Sequence, residues 1–374
     1  MSSLPPLVAP VETLSSQQVS RGSRHLMLPG FGLDGQRRLA AARVLVIGAG
    51  GLGSPVLQYL AAAGVGTIGI VDFDTVDLSN LQRQVIHRTS AIGMSKTQSA
   101  AAAIADLNPL VDVVCHDLRL GSDNALEVFA GYDLVVDGSD NFATRYLAND
   151  AAALLRLPYV WGSVFRFDGQ VTVFWEGAPD GQSVDYRDLH PVPPAPGEVL
   201  SCDEAGVLGA VCSSIGSMMA TEAIKLITGI GEPLLGRVQV FDALAGTWRE
   251  VRVRRGAERM PVSALIDYDA FCGVPDSSFA ILPSEVAGFA RVLDVREAFE
   301  RELVHIPGDR HVPLAEVLAD PDSIGIGAVA VYCKTGIRSA RAAQALRDVG
   351  IEAVSVSGGI QGWLDLTDPG GLRY

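Results

Sequence analysis

From Arg43 to about Asp140, short apolar runs alternate with longer stretches of helical periodicity, the pattern of a doubly wound α/β sheet. The runs expected as strands are Arg43–Ile47, Thr67–Val71, Asp112–Cys115 and Leu134–Asp137, with a fifth starting near Tyr159. Gly169–Trp175 alternates like a half-buried strand and predicts an antiparallel extension of the sheet. Ala178–Glu198 carries five prolines and reads as a long surface loop of the kind used for crossovers or lids. An apolar helix near Ala210–Thr228 follows, then strands around Val238–Phe241 and Trp248–Val253. The periodicity lapses after Arg254. It resumes in a second α/β pattern, with strands at Val292–Val295, Ala328–Tyr332 and Ala353–Val356 and a helix at Ser339–Val349. The division expected is a flexible N-terminus (1–20), a first domain (21–255), a linker (256–278) and a small α/β domain (279–374).

The first strand runs into Gly48-Ala-Gly-Gly-Leu-Gly53, which opens a helix, and Asp72 ends the next strand nineteen positions after Gly53. Glycines at 48, 50, 51 and 53 let backbone approach a phosphate, and the unpaired amides of the helix favour its charge. Asp72 is placed to accept hydrogen bonds from ribose hydroxyls. There is no G-x-x-x-x-G-K-[ST] loop. Instead Ser79, Asn80 and Arg83 follow the acid, Lys96 begins another helix, and Asp140-Asn141 follows the strand at Leu134–Asp137. A dehydrogenase has little use for that Arg, Lys and extra Asp. An enzyme that breaks a triphosphate needs them to hold negative charge and ligate magnesium.

In the second domain, Cys333-Lys-Thr-Gly-Ile-Arg-Ser339 joins a buried strand to a helix N-terminus. Backbone amides and the helix dipole there stabilise a thiolate or a persulfide, and Arg338 adds positive charge. Cysteine-dependent phosphatases place five residues between Cys and Arg, whereas four stand here, which favours sulfur over phosphate.

Composition narrows the classes. A formal charge of −14 disfavours direct nucleic-acid or anionic-membrane binding. No apolar run suggests a membrane span, and the first twenty residues do not read as a secretion signal. Five scattered cysteines form no Cys-x-x-Cys pair and fit a reducing cytoplasm. Of these, Cys202 ends the proline-rich stretch and reads as a nucleophile more than Cys115, which sits in an apolar run.

Taken together, Gly48–Ser54, Asp72–Val76, Leu78-Ser-Asn-Leu-Gln-Arg-Gln84, Gly93-Met-Ser-Lys96 and Asp137-Gly-Ser-Asp-Asn141 resemble the ThiF/MoeB family of ubiquitin-activating-like adenylyltransferases over about Arg24–Arg255. The resemblance implies an ATP–magnesium site whose product is an acyl-adenylate on the C-terminal glycine of a ubiquitin-like sulfur carrier ending in Gly-Gly. By position, Gly51 approaches the phosphates and Asp72 holds the ribose. Asn80, Arg83 and Lys96 grip the triphosphate, and Asp140 organises magnesium. Arg24 matches an arginine that the family donates across a homodimer. Cys202 matches a cysteine implicated in handling the activated acyl group. Members usually hold a structural zinc between two Cys-x-x-Cys pairs. Here the first pair's place reads Asp185-Tyr-Arg-Asp188 and the tail after Arg255 has none, so no zinc is expected, with packing or the dimer contact stabilising the region instead.

Leu293-Asp-Val-Arg-Glu297, His305-Ile-Pro-Gly308, the Cys333 loop and Gly358-Gly-Ile-Gln-Gly-Trp363 resemble a rhodanese domain. That resemblance makes Cys333 the persulfide carrier. The combined expectation is a bifunctional sulfur-carrier adenylyltransferase and sulfurtransferase, like a molybdopterin-synthase sulfurylase, fed by a cysteine desulfurase or thiosulfate. Two rivals are a nicotinamide-dependent oxidoreductase with an appended thiol domain and a non-catalytic carrier-binding scaffold.

Overall fold

The computed structural model describes residues 4–194, 206–273 and 279–373. They form two compact units, one ending at Cys272 and the other covering 273 onward.

The first unit is built on eight strands: β1 (Arg43–Ile47), β2 (Thr67–Val71), β3 (Asp112–His116), β4 (Leu134–Asp137), β5 (Tyr159–Phe165), β6 (Asp168–Phe174), β7 (Arg237–Asp242) and β8 (Thr247–Arg252). Their order is β3-β2-β1-β4-β5-β6-β7-β8. The first five are mutually parallel, and β6, β7 and β8 continue the sheet antiparallel. Apolar side chains cover both faces, Val44, Val46, Ile68 and Val136 toward one core and Leu45, Ile47 and Val135 toward the other. That two-sided burial is why these strands read as continuous apolar runs. The order reverses between β1 and β4, so the loops after these two strands face one crevice, the place where open α/β sheets bind ligands.

The helix at Gly209–Thr228 is long and apolar enough to cross a membrane by length and composition. In the fold it is a core helix, with Val211, Ile215, Met219, Ala223 and Ile227 buried against the helix Gly53–Ala63 and strands β5 and β6. The proline-rich stretch is less irregular than its composition suggests. Asp185 caps a short helix, Tyr186–Leu189, by accepting from the amides of Arg187 and Asp188. Residues 256–272, read from sequence as linker, also pack on this unit. The helix Tyr268–Phe271 lies against Phe142–Leu154, with Tyr268 buried.

The second unit is a five-stranded parallel sheet of β9 (Ala280–Ile281), β10 (Val292–Asp294), β11 (Arg310–His311), β12 (Val329–Tyr332) and β13 (Ala353–Val356), in the order β11-β10-β12-β13-β9. One core gathers Leu293, Val331, Ala342 and Leu346, the other Ala330, Tyr332, Val356 and Ile360. Cys333 directly follows the central strand β12, so the sheet delivers that sulfur to a loop at its carboxyl edge.

Candidate functional sites

The glycine turn after β1 is locked before any ligand arrives. Gly48 has φ 84°, and a Cβ on Gly53 would sit 1.8 Å from the Gly48 carbonyl oxygen, so only glycine closes the turn onto the helix. Asp72 holds the turn from the side: its Oδ2 accepts from the Ala49 amide at 2.8 Å and its Oδ1 from the Asp74 amide at 2.9 Å. Each oxygen keeps a lone pair for a ribose hydroxyl. Burial pushes this carboxyl above its ordinary range, with Lys96 the main influence the other way.

Lys96 is buried at the start of the helix Lys96–Leu107, and its ammonium donates to Asp74 Oδ2 at 2.8 Å. Its amide is fixed too, donating to the Asp74 carbonyl at 2.9 Å. The Arg83 guanidinium is half-buried and donates to the Ser79 carbonyl at 3.3 Å. Ser79 and Asn80 lie on the 3-10 turn Leu78–Asn80, where Asn80 Oδ1 takes the Asp77 amide at 3.1 Å and both Ser79 groups donate to Asp77 Oδ1. Asp140 and Asn141 are exposed beyond β4. Asn141 caps the helix Phe142–Leu154, and Asp140 has no hydrogen bond among the described residues. Its exposed carboxylate oxygens are ligands of the kind that hard dications take. Arg24 is exposed on the short helix Ser23–Leu26, and Cys202 lies outside the described residues.

Sequence reasoning missed several supporting groups. His87 is buried between the Ala49 carbonyl and Ser99 Oγ, each 2.9 Å from one ring nitrogen. Burial and Lys96 lower its pKa against the opposing pull of the Ala49 bond, so the imidazole is neutral: Nε2–H donates to Ala49, and Nδ1 accepts from Ser99. Among the described residues Gln84 Oε1 is buried with no hydrogen-bond partner, near Gly50, and Ser139 lies next to the Gly138 carbonyl that Gly48 approaches. An orphan acceptor beside a glycine turn fits a polar ligand seated there. Asp137, the buried last residue of β4, accepts from the Tyr159 hydroxyl at 2.5 Å and from the Ser139 amide at 2.8 Å, which sets the loop that carries Asp140.

In the second unit Cys333 is 1% exposed, and its sulfur accepts from the Gly336 amide at 3.1 Å and the Ser339 hydroxyl at 3.5 Å. The loop is held by a second turn. Ile360 and Gln361 donate their amides to the Cys333 and Lys334 carbonyls at 2.8 and 3.3 Å. Arg338 does not stand as an unbalanced charge beside the sulfur. It is buried and forms a bidentate pair with Glu300 at 2.6 and 2.7 Å. The polarity at the sulfur therefore comes mainly from the amide of Gly336 and the N-terminus of the helix Ile337–Asp348. His305 is exposed and away from this network.

A largely parallel sheet with a glycine turn at its switch point and cationic side chains on its flank defines a nucleotide-using enzyme, here carrying a sulfur-handling unit on the same chain. The chain belongs to the ThiF family, whose model matches residues 22–262, and a rhodanese-like domain matches residues 283–366. It is 51% identical over the full length of both chains to a probable adenylyltransferase/sulfurtransferase MoeZ of Mycobacterium tuberculosis. It is 39% identical to the adenylyltransferase and sulfurtransferase MOCS3 of Drosophila yakuba, covering 95% of this chain and 85% of that one. A sulfur carrier protein adenylyltransferase of Thermus thermophilus is 50% identical over 70% of this chain and 98% of its own. Among solved structures, Escherichia coli MccB with ATP shares the fold, with a TM-score of 0.56 at 20% identity over 67% of this chain and 75% of that one.

Proposed function

We propose that this enzyme adenylates the C-terminal glycine of a ubiquitin-like sulfur carrier and then converts that carboxylate to a thiocarboxylate. The carrier carboxylate attacks the α-phosphorus of ATP, a new P–O bond forms, and pyrophosphate leaves. The glycine-turn amides, Lys96 and Arg83 hold the phosphates as charge builds on the leaving group, and Asp72 fixes the ribose. Asp140 would hold magnesium, which neutralises phosphate charge. The outer sulfur of a Cys333 persulfide then attacks the acyl carbon and releases AMP. The resulting acyl disulfide is cleaved by a thiol, leaving carrier thiocarboxylate and a mixed disulfide. Cys202 is the chain's own thiol for acyl handling.

The observation that carries this reading is that a nucleotide turn and an amide-wrapped cysteine loop occur on one chain. A homodimer is part of it. Arg24 is exposed next to Met27 and Leu28, 79% and 50% exposed, an apolar edge suited to a second copy whose site Arg24 would enter. The sulfur donor is a cysteine desulfurase or thiosulfate, and the compartment a reducing cytoplasm. Carrier-dependent ATP–pyrophosphate exchange, lost in Asp140→Ala and kept in Cys333→Ala, supports the adenylation step. No exchange across carriers ending in Gly-Gly overturns it.

A further inference from the structure

The segment where the family resemblance expects the first zinc-binding pair, Asp185–Asp188, offers two carboxylates, and a cation from the protein already sits between them. The Arg259 guanidinium pairs with Asp185 through Nη1 and with Glu176 Oε2 at 2.5 Å through Nη2. Its Nε lies 3.0 Å from Asp188 Oδ1 as a charge contact. The guanidinium is 7% exposed, and Asp185 and Asp188 are more deeply enclosed still. A dication placed among these oxygens would meet that guanidinium at contact distance, so the residues present do not fit zinc. Among the described residues no group of three His, Cys, Asp or Glu is arranged to hold a metal.

The contacts around Arg259 tie distant parts of the chain together. Arg255 pairs with Glu176 Oε1 at 2.9 Å, and the Gly256 amide donates to Asp188 Oδ1 at 2.9 Å. Residues 255–259, which leave the sheet after β8, are thereby fastened to the end of β6 and to the helix Tyr186–Leu189. A second set grips that helix from its other side. Arg187 makes a bidentate pair with buried Asp150 at 2.9 and 2.7 Å, and the Tyr268 hydroxyl donates to the same carboxylate at 2.7 Å. The Arg187 guanidinium lies 5.1 Å from the ring centres of both Tyr146 and Phe271.

We propose that a metal-free clasp, centred on Arg259 and completed by Arg187, cross-links the tail of the adenylation unit to Asp185–Leu189 in place of structural zinc. Both devices solve one problem: a polar tail must be held to a short helix. Zinc does so with four thiolates. Here the planar, always-charged Arg259 does so by meeting three carboxylates at once, and Arg187 by a bidentate pair with Asp150, geometries that a lysine ammonium cannot match. Burial pushes the Asp185 carboxyl up to about 6 against the pull of Arg259. Removing the arginine therefore strands enclosed carboxylates, and is more damaging than removing one acid.

The test reads metal content and thermal unfolding, neither of which depends on turnover, so it stands apart from the fate of the adenylation reading. Protein purified without metal-affinity steps should contain well below one zinc per chain, and a strong chelator should leave the unfolding midpoint unchanged. Arg259→Ala should lower the midpoint of the first unit by roughly 6–12 °C. Asp185→Asn should move it far less, because burial already opposes that carboxyl's charge, and in the double variant the loss caused by Arg259→Ala should shrink. Should Arg259→Ala fail to fold, Arg259→Lys carries the test with a smaller fall in the same direction. Stoichiometric zinc, a chelator-induced fall, or Arg259 variants that unfold like wild type would each overturn the clasp.

Discussion

Gly359 is the residue whose replacement best separates the two chemistries. It has φ 56°, and a Cβ there would lie 2.4 Å from the Cys333 carbonyl oxygen and 2.7 Å from both the carbon and oxygen of the Lys334 carbonyl. Ordinary contact begins near 3.4 Å, so Gly359→Ala must push the cysteine loop away by about 1 Å. The left-handed backbone adds about 1–2 kcal/mol of strain for alanine. Weakening the Ile360 amide bond to Cys333, 2.8 Å long, adds about 1 kcal/mol. The sum is below the 5–15 kcal/mol of a typical domain, so the unit should still fold. A displacement near 1 Å at a reacting centre can cost about 100-fold in rate. The assay is single-turnover transfer of sulfur from persulfidated enzyme to adenylated carrier, run beside ATP–pyrophosphate exchange. Sulfur transfer should fall by about two orders of magnitude while exchange stays at the wild-type level. Gly370, whose added Cβ would meet nothing within 4 Å, supplies the control substitution. Wild-type transfer by Gly359→Ala would show that the second turn does not set the cysteine loop.

Lys96→Met keeps much of the buried stem but removes the charge, and should cut carrier-dependent pyrophosphate exchange by about 100- to 1,000-fold; exchange within threefold of wild type would remove Lys96 from the phosphate site. Mixing Arg24→Ala with Asp140→Ala subunits should restore up to about a quarter of wild-type exchange if Arg24 enters the partner copy's site, one intact site in half the dimers; no recovery from a verified mixed dimer would assign Arg24 elsewhere. Burial opposes ionisation of Glu300, but the two Arg338 bonds prevail and hold its carboxyl below the usual range. The stabilisation is thus complete above the unfolded glutamate value of about 4.3 and is lost as pH falls through the folded one. The second unit's unfolding midpoint should drop over that acid window, and Glu300→Gln should lower it at pH 7 and flatten the acid dependence; an unchanged acid profile in the variant would refute the assignment.

Most of the sheet was legible because each parallel strand is buried on both faces and leaves an uninterrupted apolar run, as in Leu134–Asp137. The edge strands β9 and β11 were not, because two residues apiece carry no period. The helix Tyr186–Leu189 was hidden by the prolines around it, although its Asp185 cap is a local signal. The glycine turn, Asp72, Lys96 and Cys333 stood out in the sequence because their residue types fall at motif spacing beside strand ends. Their partners could not. Glu300 lies 38 residues from Arg338, and Arg259 lies 74 from Asp185, so only tertiary pairing reveals what balances each charge. Asp74 was a nearer miss: it stands inside a motif already noticed, and its role emerges only when Lys96 folds back across 22 residues to meet it.

The enclosure of Cys333 bears on which sulfur reacts. At 1% exposure, with donors from Gly336 and Ser339 on its Sγ, the resting sulfur is a poor nucleophile for the bulky end of a protein chain. The proposed persulfide would extend the chain of atoms by about 2 Å, one S–S bond, placing the reactive sulfur farther from the donors that hold Sγ. In the proposed reaction, shielding the inner sulfur and presenting the outer one would serve a single end: the loop would keep the cysteine from being acylated itself while delivered sulfur reaches the activated glycine.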